Sequence, residues 1–224
     1  MNTTHDIETV AEILRAHGWE MTSAQRNRLA RYAELLREWN GRINLISRKD
    51  EEQLWRNHIL HSLAVLIVLP FPREGRVVDI GSGGGLPGIP LAIMLPGVQF
   101  VLTDSIGKKI RALGQMAAEL EIGNVSIFNG RVEDAAMLET HGRRADCVTA
   151  RAVTRLDALV RWAAPLLRSD GDRLLIAWKG GELTEEITEA RRHPLVQEIS
   201  EHVIAIPEEP WFTAEEKKLV EARF

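Results

Sequence analysis

The residues best suited to chemistry lie in Arg76–Pro90, RVVDIGSGGGLPGIP. A run of branched aliphatic residues reads as a buried strand, a glycine cluster follows, and Pro87 stands where a first helical turn accepts it. Gly81, Gly83, Gly84 and Gly85 let the backbone turn sharply and approach a ligand with no Cβ in the way, and the amides opening the next helix face an anion or a polar group. The pattern predicts a nucleotide-type cofactor site at the C-terminal end of a first strand. Gly83-x-Gly85-x-x-Gly88 satisfies the dinucleotide fingerprint, but the turn should begin at the strand end, Gly81, and counting from there puts Leu86 in place of the third glycine. No Lys-Ser or Lys-Thr follows, which excludes a Walker loop. Asp79, directly before the turn, repels a pyrophosphate but can orient loop amides or a positively charged amino acid group. S-adenosylmethionine, a sulfonium with an amino acid tail, fits that charge better than NAD.

Two further groups fall where such a cofactor needs them. Asp104, 23 residues after Gly81, ends the second strand candidate and can hydrogen-bond both ribose hydroxyls; its alternative role is a turn or helix-cap residue before Ser105-Ile106-Gly107. Arg131-Val132-Glu133-Asp134 follows the third strand, where a backbone amide and a carboxylate can contact an adenine, or simply start a helix.

The elements that must position these residues are legible as two regions. From Thr4 to about Trp39 apolar residues recur at helical spacing (Ile7, Val10, Ala11, Leu14, then Leu29, Tyr32, Ala33, Leu36), with Thr22 or Ser23 as a cap and Gly41 as a stop. A third helical stretch ends near Leu69, before Pro70 and Pro72. Beyond Gly75 the candidate strands are Arg76–Ile80, Gln99–Asp104, Val125–Asn129, Asp146–Ala150, Arg173–Trp178, Gln197–Ala205 and Lys218–Phe224, with helices after Pro87, Gly107, Val153 and Glu182. This alternation predicts an α/β fold with a doubly wound, mostly parallel sheet, the last two strands pairing antiparallel at an edge. The expected division is a helical extension over 1–72 and an α/β domain over 73–224.

The 224 residues include 28 Lys+Arg, 32 Asp+Glu and 45% hydrophobic residues, an ordinary globular composition with a net charge of −4. That balance gives no global footprint for a nucleic acid, so any such partner must meet a local patch. Thr22–Lys49 supplies one, with Arg26, Arg28, Arg31, Arg37, Arg42, Arg48 and Lys49 against Glu34 and Glu38; Lys108, Lys109 and Arg111 supply a second beside Asp104. A lone cysteine, Cys147, excludes an internal disulfide and points to a reducing compartment. The longest apolar run, Leu63–Phe71, spans nine residues, too few for a membrane helix, and no basic n-region opens the chain, so a cytoplasmic location is expected.

WNGRINLISRKD (Trp39–Asp50), NHILHSL (Asn57–Leu63), VVDIGSGGGLPGIPLAI (Val77–Ile93), LTDSIGKKIRAL (Leu102–Leu113), RVED, ARAVTRLDALVRWAAPLL (Ala150–Leu167) and AWKG (Ala177–Gly180) together closely resemble the bacterial ribosomal RNA small-subunit methyltransferase G family, also called glucose-inhibited division protein B. The LPGIP extension of the glycine loop and the TDS-x-GKK after it are much more specific than the glycines alone. The resemblance implies a class I S-adenosylmethionine-dependent methyltransferase fold of Rossmann-like type and methylation of N7 of one guanine in a loop of 16S ribosomal RNA, naked or in an assembling small subunit. It implies cofactor contacts at Gly81, Leu86, Val132, Glu133 and Arg151, with the Asp79, Gly83 and Asp104 contacts inferred above beside them. The chain departs from the family pattern at His61, where Asp is usual, and at Asn57, where Arg is frequent.

Guanine N7 carries a lone pair and no proton, so in-line attack needs no general base, and no catalytic residue is expected beyond groups that align the reactants. Cys147 reads as an inert core thiol, and the seven histidines have no metal-ligand spacing, so no metal is expected. Arg151 and Lys179, at strand ends on the cofactor side, are the positioning candidates; the candidate RNA contacts are Arg28, Arg31, Arg37, Arg42, Lys108 and Lys109. Two alternatives remain open at this stage. An NAD-dependent oxidoreductase lacks a Tyr-x-x-x-Lys pattern, since Tyr32 is the only tyrosine, and a non-catalytic cofactor-sensing RNA-binding protein would carry the same residues. A monomer is favoured.

Overall fold

The computed structural model describes residues 3–47 and 50–224; Arg48 and Lys49 of the basic stretch lie outside the described residues. Helix α1 (Thr3–Ala16) buries Ile7, Val10, Ala11 and Leu14. Helix α2 (Ser23–Asn40) opens on a capping box: the Thr22 hydroxyl accepts from the Gln25 amide at 3.2 Å, and the Gln25 side-chain oxygen accepts from the Thr22 amide at 2.9 Å. Trp55–Leu60 winds as a π-helix directly into α3 (His61–Val68), which stops before Pro70 as expected.

The α/β part runs β1 (Gly75–Ile80), α4 (Gly88–Met94), β2 (Val98–Asp104), α5 (Gly107–Glu119), β3 (Val125–Asn129), α6 (Ala135–His141), β4 (Cys147–Arg151), α7 (Leu156–Ala163), β5 (Leu174–Gly180), α8 (Thr184–Ala190), β6 (Glu198–Val203), α9 (Trp211–Ala214) and β7 (Lys217–Arg223). All seven strand candidates are present, in the order β3-β2-β1-β4-β5-β7-β6. β6 and β7 do pair antiparallel, but β7 inserts between β5 and β6, so of these two only β6 lies at an edge, β3 being the other edge of the sheet. Helix α6 agrees with the alternative reading of Arg131–Asp134 as a helix start, with Asp134 at its N-cap; it is short and buries a single residue, Met137, leaving little periodic signal.

Alternate side chains of the strands enter different layers. Val77, Phe100, Leu102, Ile176 and Trp178 share one core with α1 through α5, whereas Val78, Val101, Val148 and Leu175 pack with α6, α7 and α8. The N-terminal helices therefore form, with α4 and α5, one of the two layers covering the sheet, and their core is continuous with it. Tyr32 of α2, fully buried, donates its hydroxyl to the Gly84 carbonyl at 2.9 Å and so ties that layer to the glycine loop. Tyr32→Phe is expected to cost about 1–2 kcal/mol in urea unfolding, since the Gly84 carbonyl is left without its buried donor; an unchanged midpoint would remove this link.

Candidate cofactor and substrate site

The chain reverses its winding direction at β1, which lies between β2 and β4, so a crevice opens at the C-terminal end of β1. The glycine loop lies there. Gly81 has φ +67°, and a Cβ on it would stand 2.8 Å from Val153 Cγ2, so only glycine fits. Four loop amides are committed inside the protein: Ser82 donates to the Thr103 carbonyl at 2.8 Å, Gly83 to Asp104 Oδ2 at 3.1 Å, and Gly85 and Leu86 to the Ser82 carbonyl at 2.7 and 3.0 Å. Of the amides that open the next helix, which were expected to face an anion or a polar group, Ile89 and Leu91 are likewise committed, to the Gly85 and Pro87 carbonyls at 2.7 and 3.2 Å. A loop whose amides are spent internally is a poor pyrophosphate cradle, which separates it from the dinucleotide reading.

Two cavities meet at Gly81, Ala152 and Lys109. The smaller, about 370 Å³, is lined by Asp104, Ile106, Val132 and Glu133 among others, which brings the ribose and adenine candidates together. Asp104 is buried, and its Oδ1 accepts from the Ile106 amide at 2.8 Å while Oδ2 takes the Gly83 amide. It is thus a turn residue as well as a cavity wall, and each oxygen keeps a lone pair for a hydroxyl. The larger cavity, about 610 Å³, is lined by Gly81, Gly83, Leu86, Asp50, Asn57, His58, His61, Arg151, Lys179 and Trp211 among others.

Asp79 lines neither cavity. It is fully buried beneath the loop, accepts from the Thr149 hydroxyl at 2.8 Å, and ends against Gly88, where an added Cβ would stand 2.9 Å from Oδ2. Its place is support of the loop, not ligand contact. Burial, opposed by the Ser82 and Thr149 hydroxyls, raises its pKa to about 6. A carboxyl raised above its unfolded value stabilises the fold below about pH 4, and that contribution is lost as pH rises through 6. The stability of Asp79→Asn relative to the natural chain is therefore expected to improve by about 2.4 kcal/mol between pH 4 and pH 8 in urea unfolding. A pH-independent difference would contradict a raised pKa.

Arg151, partly buried, does not project freely. Its Nη1 donates to the His58 carbonyl and Ser62 Oγ, both at 3.0 Å, and its Nη2 to the Asn57 carbonyl at 2.7 Å and His58 Nδ1 at 2.8 Å. The guanidinium clamps the π-helix to the sheet while lining the larger cavity. Lys179, the other positioning candidate, also lines the larger cavity, but its ammonium is engaged: it donates to Glu186 Oε2 at 2.6 Å and to the Thr154 carbonyl at 2.8 Å. Burial opposes, but the Lys179 bond and the Leu156 amide outweigh it and hold the Glu186 carboxyl below its usual value.

The basic patch divides. Arg31 is ion-paired with Glu34, Glu38 and Glu119, and Arg28 donates to the Leu120 carbonyl. Both sit at the C-terminal end of α5, whereas Lys108 and Lys109 open that helix, roughly 16 Å away at its rise per residue. Arg37 and Arg42 lie at the other end of α2, beside the connection whose Leu45 and Ile46 line the larger cavity. Cys147 is buried in β4, and burial pushes its thiol far above the usual value, in keeping with an inert group.

Sequence reasoning assigned no role to Asp50, His58 or Trp211. His58 and His61 are both buried and both line the larger cavity, and among the described residues the Nε2 of each has no hydrogen-bond partner. Trp211 carries Arg56 at 4.7 Å and Lys217 at 5.3 Å from its ring centroid. The only available signal was the spacing of Asp50, Asn57 and His58, which places them together solely because a π-helix follows the connection.

The family described as rRNA small subunit methyltransferase G matches residues 25–211. A ribosomal RNA small subunit methyltransferase G of Chlorobaculum tepidum is 42% identical over 186 residues, covering 83% of this chain and 82% of that protein. The protein of the same name from Alkaliphilus oremlandii is 36% identical over 173 residues, 77% and 72% of the two chains. Among solved structures, fibrillarin of Aeropyrum pernix with natively bound S-adenosyl-L-methionine superposes with a TM-score of 0.54 at 13% identity, over 71% of this chain and 73% of that one. The fibrillarin pre-rRNA processing protein of Methanococcus jannaschii gives 0.54 at 15%, over 72% and 73%. These likenesses show the fold, a methyltransferase-type doubly wound sheet.

Proposed function

The chain belongs to the rRNA small subunit methyltransferase G family, and from that premise we propose that the joined cavities hold S-adenosylmethionine and one guanine of 16S ribosomal RNA, whose N7 is methylated. The observation that carries this reading is the glycine loop with four of its amides spent internally, opening onto a cavity walled by Asp104, Val132 and Glu133. The residues present fit that cofactor: they offer carboxylate acceptors for hydroxyls and no phosphate cradle, and Gly81 leaves the passage between the cavities clear.

When bound, the cofactor supplies an electrophilic methyl: the N7 lone pair forms the new bond, the carbon–sulfur pair returns to sulfur, and positive charge passes to the purine. Asp104 accepts the ribose hydroxyls while fixing Gly83. Val132, through its amide, and Glu133 meet the adenine, and Gly81, Gly83 and Leu86 wall the passage toward Arg151. The chain needs no proton acceptor; it aligns the reactants and excludes water. Arg37, Arg42, Lys108 and Lys109 hold RNA phosphates near the cavity mouth, and the unstacked base enters the larger cavity. The reaction belongs to the cytoplasm, on 16S RNA or an assembling small subunit, with the chain acting as a monomer.

The decisive test is transfer of labelled methyl to small-subunit RNA or particles lacking the modification, followed by strand scission at N7-methylguanine. One scission site is expected; cofactor binding without transfer would overturn the reading. For the surface, the double reversal Arg42→Glu with Lys108→Glu is expected to weaken RNA binding at least tenfold and to reduce its salt slope by about 2, whereas Arg31→Ala stays within about twofold. Equal losses from both would reassign the surface.

A further inference from the structure

We propose that Asp50, held by Asn57 and flanked by His58, is the residue that recognises the target purine, its carboxylate accepting from the N1–H and 2-amino groups of guanine and balancing the charge that methylation leaves on the ring. The inference rests on the methyl-transfer reading above.

Asp50 lies in the wall of the larger cavity and not of the smaller one that contains Asp104. Asn57 Nδ2 donates to Asp50 Oδ1 at 2.8 Å, and His58 Nε2 stands 3.9 Å from Asp50 Oδ2. Arg151 has donors only, so His58 Nδ1, 2.8 Å from Nη2, must be its acceptor. Burial and the Arg151 charge lower the His58 pKa to about 4, so the ring is neutral and carries its one proton on Nε2, on the side of Asp50. One donor thus holds the carboxylate at Oδ1, and a second N–H stands beside Oδ2. Its side chain remains 37% exposed at the end of the connection that begins at Arg42, where an incoming RNA meets the cavity.

That arrangement fits guanine and opposes adenine. Guanine presents N1–H and an exocyclic amine side by side, two donors for one carboxylate, whereas adenine offers a bare N1 acceptor and no 2-amino group. The N7 edge stays free for attack. As N7 acquires the methyl, positive charge on the ring acidifies N1–H, so the bond to Asp50 strengthens toward the transition state more than it did in the bound base.

The test uses the full chain and small-subunit RNA assembled by ligation with guanosine or inosine, which lacks the 2-amino group, at the target position. The natural chain is expected to slow about tenfold on inosine, and Asp50→Asn to slow about 10- to 100-fold on guanosine with no further loss on inosine. Asn57→Ala, which leaves the carboxylate but removes its anchor, should fall between them. S-adenosylmethionine affinity by calorimetry should stay within about twofold in both variants, against the about tenfold loss that a broken charged hydrogen bond to the cofactor would give. Losses that multiply, an Asp50→Asn rate close to the natural one, or that tenfold weakening would each overturn the proposal, the last by assigning the carboxylate to the cofactor's ammonium. Absence of methyl transfer by the natural chain would instead bring down the reaction itself.

Discussion

Asp104→Ala is expected to weaken S-adenosylmethionine binding by about 100- to 1,000-fold while the chain stays folded. The carboxylate holds the Gly83 amide at 3.1 Å and the Ile106 amide at 2.8 Å, so its removal loosens the glycine loop and the entry to α5 together. It also removes the acceptor offered to the ribose. Each charge-assisted bond contributes about 1.5–3 kcal/mol, and the loss of two accounts for the fold-change. Asp104→Asn keeps one acceptor oxygen, which can serve either Ile106 or Gly83 but not both, so its loss should be intermediate. Calorimetric titration of both variants checks the order. A decrease below about tenfold for the alanine variant would leave Asp104 as a turn residue alone, the other role its sequence position allowed.

What the sequence revealed and what it hid divide along a physical line. β1, β2, β4, β5 and β7 were legible because they are buried on both faces and so read as short apolar runs, whereas β3 and β6, at the two ends of the sheet, are half-buried or exposed along most of their length and carry a weaker signal. The glycine loop was legible because Gly81 and Gly85, with φ of +67° and +97°, need a residue without Cβ. Asp104 was found by counting from a strand end and the Val132–Glu133 pair through the family resemblance, and one cavity unites them. Pairing between distant segments leaves no local trace, which is why the insertion of β7 between β5 and β6 was missed. For the same reason the ion pairs of Lys179, a positioning candidate, and Arg31, a candidate RNA contact, left no trace in the sequence: their acids, Glu186 and Glu119, come from other elements. Asp50 and His58 escaped notice because their roles depend on Arg151, 93 residues beyond His58, and on a π-helix that no periodicity announces.

Arg151→Met is expected to reduce methyl transfer by about 1,000-fold or more and to destabilise the fold by about 2–4 kcal/mol. The guanidinium makes four hydrogen bonds, to the carbonyls of Asn57 and His58, to Ser62 Oγ and to His58 Nδ1. Burial lowers its pKa to about 10, so it remains cationic at neutral pH, and desolvation is offset only while those acceptors are in place. Methionine fills similar space but leaves buried acceptors empty and releases the His58 tautomer, so the wall carrying Asp50, Asn57 and His58 loses its register against the glycine loop. An error of about 1 Å in that register suffices for a 100-fold loss, because alignment is most of what this reaction asks of the protein. Arg151→Lys restores the charge but not the planar fork, and should recover stability more than rate. Urea unfolding and single-turnover transfer separate the two effects. A methionine variant that keeps more than a tenth of the natural rate would mean that the clamp supports the fold and does not position the base.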